Sequence, residues 1–368
     1  MGNVSEAVMQ EAMAAWGFDK TVIEVVRYGK GHINDTFCVE TQEGQKKRRY
    51  ILQRMSKTAF RHPEQLMANI VGITDYLSEK IRQVGGDPER ETVTVKRTRN
   101  GEFFFTDSEG SAWRVYPFIE DTECLQNAVT PELFEASARA FGRFQYMLKD
   151  YPADTLYETI ERFHDTENRY QNLMKAVEAD VCKRAASVQT EIEFAKARKK
   201  DCSVCLQALR EGKLPLRVTH NDTKLNNILI DKTSGKGLCI IDLDTVMPGL
   251  ACNDFGDSIR FGANHNAEDE RDLSKVNFDP ELFEVYTRGF LQGAQGVISS
   301  QEKEYLPWGA RLMTLECGMR FLTDYLEGDH YFAVHREGQN LDRCRTQFKL
   351  VSDMEKCWDQ MREIVRKY

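Results

Sequence analysis

With 368 residues, 41% of them apolar and 29% charged, the chain is long enough for two packed cores and ordinary enough in composition to fold throughout. Its formal net charge of −8, with no dense Lys/Arg block to offset it, argues against nucleic acid and anionic membranes as partners. No apolar window reaches the ~18 residues of a spanning helix, and no apolar signal region opens the sequence. A cytoplasmic protein, monomeric or a weak homo-oligomer, is expected.

In chain order, Thr21 to Tyr28, Thr36 to Thr41 and Arg49 to Met55 read as short strands separated by Gly-containing turns, which predicts an antiparallel meander. The basic run Lys46-Lys47-Arg48-Arg49 reads as a solvated hairpin turn. A helix opens near His62-Pro63-Glu64, with Pro in its first turn and Leu66, Ile70, Ile73 and Leu77 at helical spacing. Two more strands, Glu91 to Arg97 and Ala112 to Phe118, flank the turn at Arg99-Asn100-Gly101. From there helical patterns dominate, including an Ala-, Lys- and Glu-rich stretch from Asn168 to Glu211 that suits a helical hairpin. One small β-hairpin interrupts them, with strands Asn227 to Ile230 and Leu238 to Asp242. The expected fold is α+β in two lobes: an antiparallel-sheet lobe with one helix over residues 1–119, and a larger, mainly helical lobe over 120–368. A cleft between lobes is the default ligand site.

Ten cysteines lie scattered, several in apolar stretches, and are read as reduced thiols. The single CxxC, Cys202 to Cys205, lacks a second CxxC or a nearby His pair that would make it a zinc site.

The strongest chemical signal is His220-x-Asp222, four residues, Asn227, an apolar strand, a polar turn, a second apolar strand, then Asp242-Leu243-Asp244. Phosphoryl transfer needs a carboxylate to orient the attacking hydroxyl and oxygen ligands for magnesium on the nucleotide phosphates. A loop with Asp222 and Asn227 at its ends, followed by a hairpin returning Asp242, supplies both. An Asx-rich surface turn explains the polar residues but not a carboxylate at the end of a buried strand. Asp254-Phe255-Gly256-Asp257 comes too late for the metal role, and its two carboxylates are expected to pin the catalytic loop by hydrogen bonds.

This pattern, HxDxxxxN followed by hhDhD, resembles the aminoglycoside phosphotransferase and choline kinase superfamily, whose catalytic loop is like that of protein kinases. The resemblance implies a two-lobed, protein-kinase-like fold, Asp222 as catalytic base, Asn227 and Asp242 as magnesium ligands, and His220 as a structural member of the loop. Asp244 is a second metal contact, a group that orients Asp242, or a capping residue. Further segments, Gly31 to Thr36, Tyr50 to Arg54, Trp113 to Glu120, and Ile241 to Gly249, occur in the same order as in the N-acetylhexosamine 1-kinase family. That resemblance implies ATP- and magnesium-dependent phosphorylation of the anomeric hydroxyl of N-acetylglucosamine or N-acetylgalactosamine.

Within this frame the loop Gly29 to Asn34 is expected to cover the nucleotide, with Gly31, His32, Asn34 and Thr36 near its phosphates. Gln53 and Arg54 stand where a protein kinase places its phosphate-pairing Lys, and strand alternation lets one of them face the nucleotide. Glu64 is a candidate ion-pair partner or a helix-dipole residue. Tyr116, Phe118 and Ile119 end a strand where an interlobe hinge would hold adenine. Glu316, Arg320 and Asp324 lie four apart on one helical face, and Tyr331 follows a Glu-Gly-Asp turn. Spacing alone equally suits an ion-pair ladder. The resemblance implies that Arg320 and Tyr331 contact the sugar; Asp324 and Asp222 are further substrate candidates, and His32 is a candidate for the sugar or the γ-phosphate, while His164 is read as structural. The other readings are a kinase of the same superfamily for an aminoglycoside, choline or homoserine, and a pseudokinase. The latter is expected to lose Asp222, Asn227 or Asp242, all of which are present.

Overall fold

The computed structural model describes residues 4–29, 33–125 and 130–368. It divides into two compact units: Met1–Thr122 with Tyr157–Ile160 and Leu238–Asp244, and Glu123–Leu156 with Glu161–Gly237 and Thr245–Tyr368.

The first unit is an antiparallel five-stranded sheet, in the order β1 (Val22–Arg27), β2 (Asp35–Glu43), β3 (Lys46–Arg54), β5 (Ala112–Pro117) and β4 (Phe105–Thr106). The expected three-strand meander is present. Its second turn is Gly44-Gln45, with Gly44 at φ 64°, and the basic run lies on β3 itself rather than in the turn. Lys47 pairs with Glu40 across the ladder at 2.6 Å. Helix α1 (Glu6–Trp16), which no sequence pattern had singled out, is capped by Ser5, whose Oγ accepts from Val8 N. It buries Val8, Ala12, Met13 and Trp16 in one cluster with Val39, Tyr50, Leu52, Trp113 and Val115 of the sheet. Helix α2 (Pro63–Gln83) starts at the expected Pro and buries Leu66, Ile70, Ile73 and Leu77.

The expected strand from Glu91 to Arg97 is absent. Asp87 caps a helical turn, α3 (Pro88–Glu91), by accepting from Glu89 N at 3.0 Å, and Pro88 fixes its first residue. The chain then passes beside β5 in irregular form, where Lys96 N donates to Val115 O at 2.8 Å. The two-residue β4 takes the outer ladder position instead. A short strand, β6 (Thr122–Cys124), ends this part of the chain.

The second unit is mainly helical: α4 (Pro131–Met147), α5 (Thr166–Ala179), α6 (Gln189–Ala197), α7 (Val204–Arg210), α8 (Ala251–Gly262), α9 (Pro280–Ala294), α10 (Ser300–Glu304), α11 (Leu306–Glu327), α12 (Gln339–Lys356) and α13 (Trp358–Lys367). The stretch expected to form a helical hairpin is three helices, because Asp180, at φ 38°, ends α5 early in a left-handed cap. Strand β7 (Arg217–Thr219) runs antiparallel to β10 (Met247–Gly249) with Thr219 opposite Met247. Strands β8 (Ile228–Asp231), of this unit, and β9 (Gly237–Ile240), which from Leu238 on belongs to the first, stand where the hairpin was expected, and Asp231 N donates to Lys236 O at 3.0 Å to close the turn. The ten cysteines are free thiols. Among the described residues no helix is long and apolar enough to cross a membrane.

Helix α8 is buried almost all round. Phe255 meets Phe283, Tyr286 and Phe290 of α9 edge-on at 5.5–5.7 Å. Against α11 it packs backbone to backbone: a Cβ on Gly309 would lie 1.9 Å from Cys252 O, and one on Gly256 would lie 2.2 Å from Gly309 O. Gly309→Ala is therefore expected to force the two helices apart and lower stability by roughly 1–3 kcal/mol, the usual cost of overpacking, readable as a drop in Tm. An unchanged Tm would contradict this packing.

Candidate active site

The residues that the motif singled out fall into two clusters, one in each unit. In the second unit, β7 leads directly into the loop 220–227. Asn221 adopts φ 64°, which Asn tolerates better than most side chains because it can bond locally. Its Nδ2 donates to Thr245 O at 2.9 Å, and Thr219 Oγ1 donates to its Oδ1 at 2.9 Å. The loop's amides are held by α8. Asp254 accepts from His220 N at 2.9 Å and Asn221 N at 2.7 Å, and Asp257 accepts from Thr223 N at 3.0 Å. Thr223 Oγ1 donates to Asp254 O at 2.5 Å, and Ser258 Oγ donates to Thr223 O at 2.7 Å. Arg260 in turn braces Asp257 at 2.9 Å. The pinning role read for Asp254 and Asp257 is thus the observed geometry. Burial pushes the Asp254 carboxyl up, opposed by His220 and by the two amides it accepts.

His220 is fully buried, edge-on to Phe141 at 5.6 Å, and its Nδ1 faces Asp222 N at 3.3 Å. Asp222 is partly exposed. Its Oδ1 pairs with Lys224 Nζ at 2.8 Å, and Asn227 Nδ2 donates to its backbone oxygen at 2.7 Å and to Oδ2 at 3.1 Å. Burial alone would raise the Asp222 carboxyl; Lys224, with His220 and Arg260, outweighs it and brings the group to about 2. Lys224 was not singled out from sequence, although it lies two residues after Asp222 in the same motif.

In the first unit, the β2-β3-β5 register aligns Thr36, Gln53 and Arg114 in one row. Gln53 Nε2 donates to Thr36 Oγ1 at 3.1 Å, and Arg114 Nε donates to Gln53 Oε1 at 3.0 Å. Arg114 is 1% exposed and forms a tight ion pair with Asp244, while Asn34 Nδ2 donates to the other Asp244 oxygen at 2.7 Å. Asn34 also accepts from Ser56 N at 3.0 Å. Gln53 therefore shares a face with Asp244. Arg54 points the other way, to Glu109 at 2.6 Å and over Trp113 at 5.9 Å. Arg114 went unnoticed in sequence, yet a charge inside the apolar run Ala112 to Val115 is the signal that could have marked it. Asp242 is exposed and left-handed, at φ 59°, just after β9. Tyr116 is half-buried, Ile119 is buried, and Phe118 lies beneath the Arg49 guanidinium at 4.0 Å. Gly31 and His32 lie outside the described residues. Glu64 faces its neighbour His62 at 3.3 Å.

On α11, Arg320 Nη2 donates to Tyr331 Oη at 3.4 Å and stands 5.7 Å from Phe163 and 5.4 Å from Phe332. Arg169 Nη2 donates to Phe163 O at 2.7 Å, while its buried Nε has no hydrogen-bond partner among the described residues. Burial and the charge of Arg320 both push the Arg169 guanidinium down. Tyr331 is 70% exposed. Asp324 is buried and spends its carboxylate on the loop after α11: it accepts from His330 N, Tyr331 N, Phe332 N and Asn340 Nδ2 at 2.8–3.0 Å. Glu316 is buried against His164 and Thr166.

The donor chemistry fits magnesium in part. In the second unit Asn227 uses its Nδ2 toward Asp222, which leaves Oδ1 as the atom able to act as an oxygen donor; in the first unit Asp242 is an exposed residue with a carboxylate, the hard donor type magnesium takes. Asp244 fits less well, since both its oxygens are engaged and Arg114 already neutralises it.

A profile of the phosphotransferase enzyme family matches residues 24–292, well over half of the chain. Among solved structures, an aminoglycoside phosphotransferase from Alicyclobacillus acidocaldarius is similar at TM-score 0.62 and 12% identity, covering 100% of this chain and 98% of its own. A choline kinase from Cryptosporidium parvum is similar at 0.57 and 14%, covering 99% of each chain. A spectinomycin phosphotransferase in complex with ADP and spectinomycin is similar at 0.51 and 12%, covering 98% of this chain and 100% of its own. At these identities the structures show a common α+β fold. A match running from β1 into α9 shows more: the chain belongs to the phosphotransferase enzyme family.

Proposed function

We propose that this kinase transfers the γ-phosphoryl group of ATP to the anomeric C1 hydroxyl of an N-acetylhexosamine, N-acetylglucosamine or N-acetylgalactosamine, giving the sugar 1-phosphate. Nucleotide use is supported by the ADP in the similar spectinomycin phosphotransferase structure. Asp222 orients the attacking hydroxyl. With its carboxyl held at about 2 it is a weak base, which suits a loose transition state where alignment matters more than early proton removal. Lys224, paired to it, is placed to follow the charge that develops as the phosphoryl group moves. Asn227 and Asp242 are the residues that would hold magnesium, which neutralises charge on the nucleotide phosphates. Asp244 we assign to orienting this segment through Arg114. Gln53, rather than Arg54, takes the phosphate-facing position of β3, with Thr36 beside it, and Tyr116, Phe118 and Ile119 offer apolar surface to the base.

One observation carries the choice of substrate: the corner formed by Arg320, Arg169, Phe163 and Tyr331 is cationic and aromatic. A polycationic aminoglycoside or the quaternary ammonium of choline is repelled by two guanidinium groups. A neutral acetamido sugar, with hydroxyl and carbonyl acceptors and an apolar ring face, suits them. Asp324 supports Tyr331 through the loop it holds, and His32 remains a candidate contact with sugar or phosphate.

A coupled ADP-release assay with ATP, magnesium and a panel of acceptors tests this. Turnover is expected with both N-acetylhexosamines and none with their 1-O-methyl glycosides, kanamycin or choline. Turnover of the methyl glycosides would overturn the anomeric reading. Asp222→Asn is expected to lose roughly 10²–10⁴-fold in kcat while ATP binding by calorimetry is kept. Near-normal activity would remove Asp222 from its role. Asp254→Ala, which orphans two loop amides, is expected to cost about 2–4 kcal/mol in stability and at least about tenfold in kcat. Wild-type kcat in a folded Asp254→Ala protein would show that the loop does not depend on that carboxylate.

A further inference from the structure

His164, just ahead of α5, meets two hydrogen-bond acceptors. Its Nε2 is 2.9 Å from Asn221 O and its Nδ1 is 3.0 Å from Glu316 Oε1. A carbonyl oxygen and a carboxylate both require a donor, and a neutral imidazole has one N–H. Both bonds form together only when the ring is an imidazolium. The other Glu316 oxygen accepts from Thr166 Oγ1 at 2.8 Å, which fixes the carboxylate in place.

The carbonyl that His164 holds belongs to the peptide bond between Asn221 and Asp222. The N–H of that peptide faces His220 Nδ1 at 3.3 Å, so the peptide plane is gripped on both edges. It follows a residue at φ 64° and carries the Cα of Asp222, so a rotation of this plane swings the Asp222 carboxylate. Glu316 lies one helical turn before Arg320 on α11. The ring thus joins the loop that bears Asp222 to the helix that bears Arg320.

We propose that His164 is a positioning residue for phosphoryl transfer: as an imidazolium it locks the Asn221–Asp222 peptide and ties it to α11, keeping Asp222 and Arg320 in one register. The role in transfer rests on the kinase reading above; the charged clamp itself does not. The groups around the ring favour the charge. Glu316 of α11 and Asp254 and Asp257 of α8 are acidic, while Arg169 of α5 and Arg320 of α11 reach it through Glu316. Burial alone would lower the imidazole; the bond and charge of Glu316, the Asn221 carbonyl and Asp257 outweigh it and raise it above its ordinary value. A group raised on folding contributes its stabilisation below its unfolded value of about 6.5 and loses it as pH climbs through the raised one. The clamp therefore opens on the alkaline side.

Two measurements test this. In the histidine-labelled full chain, long-range proton–nitrogen NMR is expected to show both His164 nitrogens protonated at pH 7, titrating above the ordinary histidine range. A neutral tautomer at pH 7 overturns the clamp whatever the substrate proves to be. In the sugar assay, kcat is expected to fall on the alkaline side with the same midpoint. Glu316→Gln, which keeps an acceptor but removes the charge, moves that midpoint to lower pH. His164→Gln, which retains one donor, abolishes the pH limb and lowers kcat roughly tenfold with KM for ATP unchanged. A kcat pH profile that is identical in wild type and both variants overturns the positioning role.

Discussion

Two backbone amides of the loop 220–227 end on one buried carboxylate, Asp254, and much of the second unit is arranged so that this can happen. The loop has to leave β7, turn through a left-handed residue at Asn221 and present Asp222, a path with no ladder to satisfy its N–H groups. Helix α8 provides that satisfaction from its side chains, Asp254 for the first two amides and Asp257 for Thr223. Its own position is set by the aromatic cluster of α9 and by the close approach of Gly256 and Gly309 to backbone. Unsatisfied amides in this buried place would each cost about 1–3 kcal/mol, more than enough to choose another loop conformation.

Charge does the rest. Asp222 is surrounded by groups that keep it ionised, Lys224 foremost, so in the proposed reaction it would meet the hydroxyl as an oriented acceptor rather than a strong base. In the first unit a buried pair, Arg114 with Asp244, fixes the segment that follows Asp242. Breaking either partner of a buried pair leaves an uncompensated charge, typically worth about 3–5 kcal/mol, which is why such pairs hold a backbone segment firmly.

Parts of this were legible in the sequence because their physics is local. The spacing of His220, Asp222 and Asn227 is a single loop, the meander strands alternate over six to nine residues, and the helix at Pro63 carries its own start signal. What was not legible depends on partners far along the chain. The stretch Glu91 to Arg97 has a strand-like composition, but Asp87 and Pro88 cap a helical turn there and Phe105–Thr106 takes the ladder position. Helix α1 is defined by the sheet it covers. That Gln53 rather than Arg54 lies beside Arg114 follows from the register of β3 with β5, and what Asp324 binds follows from the return of the loop at 330–332. The two acceptors of His164 lie 57 and 152 residues away along the chain, so no local pattern marks them.

The position of the new phosphate on the product sugar is the most direct test of the proposed substrate. Proton–phosphorus correlation NMR of the product formed from N-acetylglucosamine, ATP and magnesium is expected to couple the new phosphorus to the anomeric proton. Coupling to the protons on C6, C4 or C3 instead would contradict an anomeric kinase and return the chain to another hydroxyl substrate of its family.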